Sequence, residues 1–310
     1  MNLQNNLHNP VLLEETIRLL NIKPSGIYVD CTAGLGGHSR AILAQLDQAG
    51  TIICIDQDDT AITYLHKLFV NEPRVKIFHD NFINLKVILR NLAISKVDGI
   101  LIDLGVSSPM FDDPKRGFSY HHDERIDMRM NQAQKLDAHF IVNQYDAKQL
   151  MDIFKHYGEI YNSRKVVNAI LAYRKFHPID STNQLVEIIK NNVPVSKLHV
   201  KKHPARNYFQ AIRIAVNNEL NNLKKLMADA FSLLKAYGRI AAISFHSLED
   251  RIIKQAFVKM SSSQIPREVP ILHEDIQYRL ITKQPITATT EEIKQNRRAR
   301  SAKLRVIERQ

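Results

Sequence analysis

A glycine-rich segment followed by a carboxylate is the first arrangement in this sequence that could bind a nucleoside. The run Gly34-Leu35-Gly36-Gly37-His38 would let backbone N–H groups approach a ligand closely. Asp56 follows Gly36 by about 20 residues, a position from which a carboxylate can accept hydrogen bonds from both ribose hydroxyls. Ser39 stands where a dinucleotide fingerprint needs Gly or Ala. The pattern favours a nucleoside cofactor, leaves NAD and S-adenosylmethionine (AdoMet) both open, and has a purely structural tight turn as its alternative.

Two more polar segments follow predicted strands. In Asp80-Asn81-Phe82, the aromatic ring could either stack on an adenine or lie buried beneath a loop. The segment from Asp103 to Pro109 is a loose relative of the Asp/Asn/Ser-Pro-Pro-aromatic loop with which many amino-methyltransferases hold an amine. We therefore expect oxygens of this loop, with Ser107 and Ser108 as the candidate side chains, to position an amine for methyl transfer.

Other clusters of reactive residue types are undecided or favour structural roles. Asp127-Met128-Arg129-Met130 is equally consistent with a functional ion pair and with the buried face of a core helix. His121-His122-Asp123 lacks a third ligand at a spacing suited to zinc, so we expect no metal site. Cys31 and Cys54 lie in predicted buried strands without a CxxC pair, which predicts inert thiols.

The order of the predicted elements indicates an α/β fold that would position the polar segments. Short apolar strands alternate with helices, which is typical of a parallel sheet with helices on both faces. These strands are Ile27 to Thr32, Thr51 to Asp56, Val75 to His79 and Val97 to Leu104. Ligands of such sheets bind at the carboxyl ends of the strands. The segments expected at that edge are Asp30 to His38, Asp56, Asp80 to Phe82, Asp103 to Pro109 and His246.

A helical and basic segment interrupts this pattern after Pro109. No convincing strand is predicted from there to about His203. The predicted helices are Asp146 to His156, Arg164 to Arg174 and Thr182 to Asn191. The basic residues include Lys148, Arg164, Lys165, Arg174, Lys175, Lys201 and Lys202.

The α/β pattern resumes near the end of the chain. One long amphipathic helix is predicted from Tyr208 to Lys235, ended by Gly238. A strand then follows from Arg239 to Ser244, and a last one from Lys303 to Glu308. We therefore predict a cofactor-binding domain over residues 1–109 and 207–310, interrupted by a helical insert over residues 110–206.

Charge and hydrophobic content restrict the class of protein. Lys and Arg exceed Asp and Glu by 11 over 310 residues, which favours polyanionic partners without excluding an ordinary basic protein. The hydrophobic share of 44% is enough for a sizeable core. No apolar run approaches the roughly 20 residues of a membrane span, and residues 1–10 lack the apolar stretch of a secretory signal. We expect a cytoplasmic protein without a membrane partner.

The motifs resemble, in order and spacing, those of the 16S rRNA (cytosine-N4)-methyltransferases, also called the RsmH/MraW family. The resemblance extends from His8 to Arg309. Its most specific segments are Pro10-Val11-Leu12-Leu13, Gly36-Gly37-His38-Ser39, Asp103-Leu104-Gly105-Val106-Ser107-Ser108-Pro109, Arg116-Gly117-Phe118-Ser119, Asp127-Met128-Arg129-Met130, Phe209-Gln210-Ala211-Ile212-Arg213-Ile214 and Ser244-Phe245-His246-Ser247-Leu248-Glu249-Asp250-Arg251.

The resemblance implies a class I AdoMet-dependent methyltransferase domain, Rossmann-like with a mostly parallel sheet, and an inserted helical domain that helps to recognise RNA. The implied reaction is transfer of a methyl group from AdoMet to N4 of a decoding-centre cytidine in 16S rRNA of the small ribosomal subunit. The implied AdoMet-binding residues are Gly36, Gly37, His38, Asp56, Phe82, Asp103 and Met110, and the implied catalytic residues are Asp103, Ser107 and Ser108. The family usually has Gln at the position of Met110, so we expect no side-chain hydrogen bond there.

Two other functions stay open at the level of sequence. One is a class I methyltransferase that acts on a protein or a small molecule, against which the basic insert argues. The other is an RNA-binding assembly factor that merely retains AdoMet, against which the intact glycine-rich loop argues. The sequence also leaves the oligomeric state open between a monomer and a homodimer.

Overall fold

Seven strands form one sheet in the computed structural model, which describes residues 10–198, 203–262 and 277–310. In chain order they are β1 (Ile27–Asp30), β2 (Thr51–Asp56), β3 (Val75–His79), β4 (Val97–Asp103), β5 (Leu234–Ser244), β6 (Tyr278–Leu280) and β7 (Lys303–Arg309). Their order across the sheet is β3-β2-β1-β4-β5-β7-β6. Strands β1 to β5 pair in parallel, whereas β7 is antiparallel to both β5 and β6. The predicted Rossmann-like, mostly parallel sheet is confirmed.

Helices precede, separate and follow these strands. The α-helices of the described ranges are α1 (Leu13–Leu20), α2 (Gly37–Leu43), α3 (Asp59–Leu68), α4 (Leu85–Asn91), α5 (Ser108–Asp112), α6 (Ala138–Gln144), α7 (Ala147–Gly158), α8 (Arg164–Tyr173), α9 (Thr182–Asn192), α10 (Val195–Leu198), α11 (Arg206–Asn217), α12 (Glu219–Ala230), α13 (Ser247–Met260) and α14 (Thr290–Gln295). None of them is long and apolar enough to cross a membrane.

The chain divides into two compact units. The first unit comprises Met1–Gly105 and Leu220–Gln310 and contains the sheet, and the second comprises Val106–Glu219. The sequence placed the ends of the insert at 110 and 206, so α11 was assigned to the α/β domain. In the structure α11 belongs to the second unit, because its buried face, which includes Tyr208 and Phe209, joins the hydrophobic core of that unit.

The sheet of the first unit is buried on both faces, as parallel sheets require. Successive side chains of β4 alternate between two hydrophobic clusters. Ile100 and Ile102 pack in one cluster, and Leu101 packs in the other. Because both faces are covered, the exposed carboxyl edge of the sheet is the place where these strands can present polar side chains to a ligand.

The single long helix predicted from Tyr208 to Lys235 is wrong. Asn218 adopts the left-handed conformation, with φ 50°, and separates α11 from α12. Helix α12 ends at Ala230, and a short 3₁₀ helix (Phe231–Leu233) leads into β5, whose irregular pairing beside Val97 includes Gly238. Gly238 therefore lies inside a strand and does not end a helix.

Asn217, at the end of α11, ties that helix to a loop of the second unit. Its side-chain oxygen accepts from the backbone N–H of Met130 (2.8 Å), and its Nδ2 donates to the carbonyls of Met128 (2.8 Å) and Arg213 (2.9 Å). Met128 is held in the left-handed region, with φ 60°. The buried amide thus satisfies backbone groups that water cannot reach.

Substitution Asn217→Ala should lower the free energy of unfolding by about 2–3 kcal/mol, because the buried N–H of Met130 and carbonyl of Met128 would lose their partner. Denaturant unfolding followed by circular dichroism would measure this change. Asn191, exposed on α9, provides the control, and Asn191→Ala should stay within about 0.5 kcal/mol of the parent. Equal effects of the two substitutions would contradict the role given to Asn217.

Candidate active site

The strand order of the first unit reverses between β1 and β4, which are neighbours in the sheet. In open α/β sheets, ligands bind outside the carboxyl ends of the strands at such a switch point. Asp30 is the last residue of β1 and Asp103 is the last residue of β4. The topology therefore places these two carboxylates, which the sequence assigned to one edge, on either side of the expected ligand crevice.

Asp56 ends β2, next to β1, and backbone N–H groups hold its carboxylate. Oδ2 accepts from the N–H of Gly34 (2.8 Å), and Oδ1 accepts from the N–H of Asp58 (2.9 Å). The backbone N–H of Gln57 also hydrogen bonds to this carboxylate. A carboxylate has about four lone-pair positions, so it keeps capacity for another donor. The arrangement fits a carboxylate whose orientation is fixed before it accepts a pair of ligand hydroxyls.

The glycines of the first loop have separate reasons for being glycine. A Cβ at Gly37 would lie 2.3 Å from the ring of Pro10, and one at Gly36, where φ is 73°, would lie 2.7 Å from Leu68 of α3. Packing within the protein therefore excludes larger residues at both positions. A Cβ at Gly34, where φ is 51°, would have the carbonyl oxygen of Thr32 at 3.9 Å as its nearest neighbour, so this glycine has room for a ligand beside it.

Asp30 and Asp103 are held by side chains that flank the crevice. Asp30 accepts from the hydroxyl of Ser39 (2.6 Å) and from the N–H of Thr32 (3.2 Å). The hydroxyl oxygen of Thr32 accepts from the N–H of Asp103 (2.7 Å). Oδ1 of Asp103 is buried and has no hydrogen-bond partner within the part of the chain that the structure describes. A buried oxygen in this state is ready to accept a hydrogen bond from a ligand.

His38 lies behind Asp103. Its Nε2 is 3.2 Å from the carbonyl oxygen of Val11, and because a carbonyl only accepts, Nε2 carries the proton. Nδ1 of the neutral ring then presents a lone pair 3.5 Å from Oδ2 of Asp103. Burial lowers the pKa of His38 to about 4, so the ring is neutral at neutral pH.

The carboxyls of this edge are unusually basic. Burial raises the pKa of Asp30 to about 6, against the opposing effect of its hydrogen bond from Ser39. Burial also raises the pKa of Asp56, although backbone N–H groups oppose the shift. Burial, with the nearby charges of Asp30 and Glu249, raises the pKa of Asp103 well above its usual range. A positively charged ligand would relieve this unfavourable concentration of negative charge.

The segment after β3 has a clear local role. The side chain of Asn81 accepts from the N–H of Ile83 (3.1 Å) and thereby caps a short 3₁₀ helix. It also donates to the side chain of Gln57 (2.8 Å). Phe82 is partly buried against the cluster that covers one face of the sheet. The alternatives of adenine stacking and loop packing for Phe82 therefore both stay open, and its place in cofactor binding stays a prediction.

The other predicted site residues lie in the second unit. Ser107 precedes α5, and its buried hydroxyl has no hydrogen-bond partner among the described residues. Met110 is buried in the hydrophobic core of this unit, which agrees with a residue that offers no side-chain hydrogen bond. The side chain of Ser108 is outside the described part of the chain. The roles assigned to these three residues stay predictions.

Asp127-Met128-Arg129-Met130 is not the face of a helix. Asp127 pairs with Arg129 (2.7 Å) and with Arg125 (3.1 Å), while both methionines are buried in the core of the second unit. The motif thus forms an ion-paired loop whose backbone Asn217 holds, and the interpretation as a helix face is wrong.

Thr32, Ser39 and Glu249 belong to the site, but the sequence analysis assigned a site role to none of them, although all three lie in segments that it named. Thr32 and Ser39 flank the glycine-rich loop, so their place next to that loop was the available signal. Glu249 stands three residues after His246, the spacing of a helix capping box, and its buried carboxylate contributes to the raised pKa of Asp103. Sequence reasoning found the edge, whereas its inner hydrogen bonds became visible only in the fold.

Comparison with known proteins shows the family of the chain. Residues 5–310 match the MraW methylase family. Ribosomal RNA small subunit methyltransferase H of Ureaplasma urealyticum is 51% identical over 300 residues, and the same-named protein of Ureaplasma parvum is also 51% identical over 300 residues; each alignment covers 97% of both chains. The same-named protein of Lactiplantibacillus plantarum is 47% identical over 308 residues, again covering 97% of both chains. The sheet carries buried carboxylates at its switch point, and the family match covers nearly the whole chain. The chain therefore belongs to the MraW methylase family.

Proposed function

We propose that this methylase transfers the methyl group of AdoMet to N4 of a cytidine in the decoding centre of 16S rRNA. Its relatives are named as small-subunit ribosomal RNA methyltransferases. The observation that carries the choice of an amine is Oδ1 of Asp103, a buried acceptor at the switch point of the sheet that has no partner among the described residues. An exocyclic amine is a donor that can satisfy it.

The residues of the first unit suit AdoMet. Asp56 would accept the ribose hydroxyls, since both of its oxygens are already oriented by backbone N–H groups. Gly34 would give the ligand access to the loop backbone, while Gly36 and Gly37 keep the loop close to α3 and Pro10. The buried carboxyls match the positive charge of a sulfonium.

The protein's part in the reaction is alignment and proton transfer. The N4 lone pair of cytosine is delocalised into the ring, and bound AdoMet supplies a methyl group that is reactive without further activation. Asp103 would accept a hydrogen bond from N4–H, so that the nitrogen faces the methyl carbon. Bound AdoMet would give its methyl group to N4 and leave as S-adenosylhomocysteine, and the Asp103 carboxylate would take up the proton that N4 loses on methylation. His38, with its Nδ1 lone pair 3.5 Å from Oδ2, would then stabilise the protonated acid.

Affinity for AdoMet should rise between about pH 5 and pH 7, in line with the raised pKa of Asp30, about 6. A cationic ligand binds the ionised carboxyls more tightly than the protonated ones, so binding lowers their pKa. Affinity therefore increases as pH passes from the bound pKa up to the raised free value, and levels off above it. S-adenosylhomocysteine lacks the sulfonium charge and should show a shallower slope in calorimetry. Equal slopes for the two ligands would contradict this electrostatic role.

The second unit is the proposed RNA-binding part of the chain. Lys148, Arg164, Lys165 and Lys175 are exposed on it. Arg174 instead has a structural role, since its guanidinium donates to the carbonyls of Val142 (2.8 Å) and Tyr145 (2.6 Å). Lys201 and Lys202, which the sequence also singled out, lie outside the described residues.

Replacing Lys165 and Lys175 together by Ala should weaken RNA binding and make the slope of log affinity against log salt shallower, by roughly one unit or less per lost phosphate contact. Lys67 and Lys254, both exposed in the first unit, provide a control that removes the same charge. AdoMet affinity should stay the same in both double variants. Equal salt slopes for the two variants would indicate that net charge alone attracts RNA.

The function is tested by incubating the full chain with isotopically labelled AdoMet and small ribosomal subunits from cells that lack the corresponding methyltransferase. Mass spectrometry of the digested 16S rRNA should show labelled N4-methylcytidine from a single decoding-centre position. Label in ribosomal protein, or on another base, would contradict the proposal. Light scattering on the same preparation would decide between a monomer and the homodimer that the sequence left open.

A further inference from the structure

His246, the residue between β5 and α13, is part of a reciprocal cap at the start of that helix. Its Nδ1 accepts from the backbone N–H of Glu249 (3.4 Å). In return, Oε2 of Glu249 accepts from the N–H groups of His246 (3.2 Å) and Phe245 (2.8 Å). These contacts fix the imidazole in one orientation at the carboxyl end of β5.

The cap also fixes which ring nitrogen carries the proton. Because Nδ1 accepts a hydrogen bond, the neutral ring has its proton on Nε2. The side chain is only 10% exposed, and Nε2 is buried without a hydrogen-bond partner in the described part of the chain. Oε1 of Glu249 is 3.2 Å away, but it does not lie in hydrogen-bonding geometry with the N–H. His246 therefore presents a buried donor that a ligand can satisfy.

This donor lies at the strand end next to the one that carries Asp103. The N–H of Leu104 donates to the carbonyl of Ile243 (3.0 Å), so the two strands pair up to their ends. The ring of Phe245 is 3.5 Å from the Cβ position of Gly105, which brings the segment after β5 against the segment after β4. Over residues 10–198, 203–262 and 277–310, the crevice edge thus has a buried acceptor without a partner, Oδ1 of Asp103. The next strand end has a buried donor without a partner over the same ranges, Nε2 of His246.

We propose that His246 is a base-recognition residue whose Nε2–H donates to N3 of the target cytosine while Asp103 accepts from N4–H. The inference rests on the proposed function and deepens it. Cytosine presents an amine donor at N4 beside an acceptor at N3, which matches one acceptor and one donor of the protein. Uracil presents the reverse pattern, O4 as an acceptor beside an N3–H donor, so the same pair of residues would reject it.

Two substitutions separate recognition from capping. His246→Asn keeps a good helix cap, because asparagine can accept from the N–H of Glu249, but it does not reach the position of Nε2. His246→Gln places an amide donor near the position of Nε2 but caps poorly. We expect the Asn variant to retain its melting temperature and lose on the order of tenfold in kcat/KM for RNA. The Gln variant should melt lower and keep most of its kcat/KM, and both should bind AdoMet like the parent.

The hydrogen bond itself is tested with small-subunit RNA that contains 3-deazacytidine at the target position, which removes the N3 acceptor. The parent should methylate this RNA more slowly than normal RNA, whereas His246→Asn should show no further loss beyond the intrinsic difference between the two bases. If the substitution of His246 and the removal of N3 lowered kcat/KM by factors that multiply, the assignment of His246 to N3 would be overturned. An Asn variant with parental kcat/KM would overturn it as well. A parent enzyme that leaves normal RNA unmethylated would instead disprove the proposed function, so the two failures are distinguishable.

Discussion

Substitution Asp103→Asn should lower the single-turnover rate of methyl transfer by on the order of 10²–10⁴-fold and leave the fold intact. This is the range expected when a positioned acid–base group is lost. Asparagine has the shape of aspartate, and its Nδ2 can donate to Nδ1 of His38, which is 3.5 Å from Oδ2 of Asp103 in the parent. Its oxygen can still accept from N4–H, but it can neither receive the proton that N4 releases nor balance the charge that develops on that nitrogen. The loss should therefore appear in the rate constant at saturating RNA and AdoMet, more than in either affinity.

The control for Asp103→Asn is Asp59→Asn at the start of α3. The side chain of Asp59 is 80% exposed, and its substitution removes the same charge from the first unit. Rapid-quench measurements with excess enzyme should give a parental rate for the control. If Asp103→Asn also kept the parental rate, another group would have to accept the proton, and Asp103 would be only a cofactor contact.

The strands were predictable where sequence alone defines their ends. The predicted ranges of β2 and β3 match the structure residue for residue, since each is a short strand-forming run set between turn residues. β6 was missed, because its three residues, Tyr278–Leu280, form a strand only by pairing with β7. Short edge strands of this kind depend on a partner that is distant in sequence, so local pattern carries little signal for them.

The break between α11 and α12 shows a second limit of sequence reasoning. No Gly or Pro marks the break, and the hydrophobic pattern continues on both sides of Asn218. Asparagine tolerates the left-handed conformation that ends a helix, but it does so at many positions where no helix ends. What fixes the break here is the burial of Asn217 against the loop at Met128 and Met130, which is a tertiary contact.

The sequence predicted the edge of the sheet at which the candidate site lies, but not the contacts between the residues there. The rule that ligands bind at strand carboxyl ends brought Asp30, Asp56 and Asp103 together without coordinates. It could not show that Gly36 and Gly37 are required by packing against Leu68 and Pro10, because those neighbours come from other elements. Nor could it show which buried polar atoms lack partners. Whether a buried polar atom has a partner depends on its neighbours in the folded protein. The roles proposed for Asp103 and His246 depend on such atoms.

Substitution Asp56→Ala should weaken AdoMet binding by about 1.5–3 kcal/mol, or roughly 10- to 150-fold, because a charge-assisted contact to the ribose would be lost. Part of the loss in affinity would be indirect. The N–H groups of Gly34 and Asp58 would lose their acceptor, so the glycine-rich loop would no longer be held in place. Asp56→Asn separates the two causes. It keeps one acceptor for the loop and removes the charge, so its affinity should lie between those of the parent and the Ala variant.

Isothermal titration calorimetry of the Asp56 variants with AdoMet, and with NAD as the competing nucleoside cofactor, would decide between the two ligands that the glycine-rich pattern left open. The parent should bind AdoMet and show no measurable heat with NAD. The control Asp59→Ala, at an exposed position of α3, should bind AdoMet as the parent does. Tight binding of NAD would contradict the assigned cofactor. An Ala variant with parental AdoMet affinity would leave Asp56 as a support of the Gly34 loop without a ligand contact, held by backbone N–H groups such as those of Gly34 and Asp58.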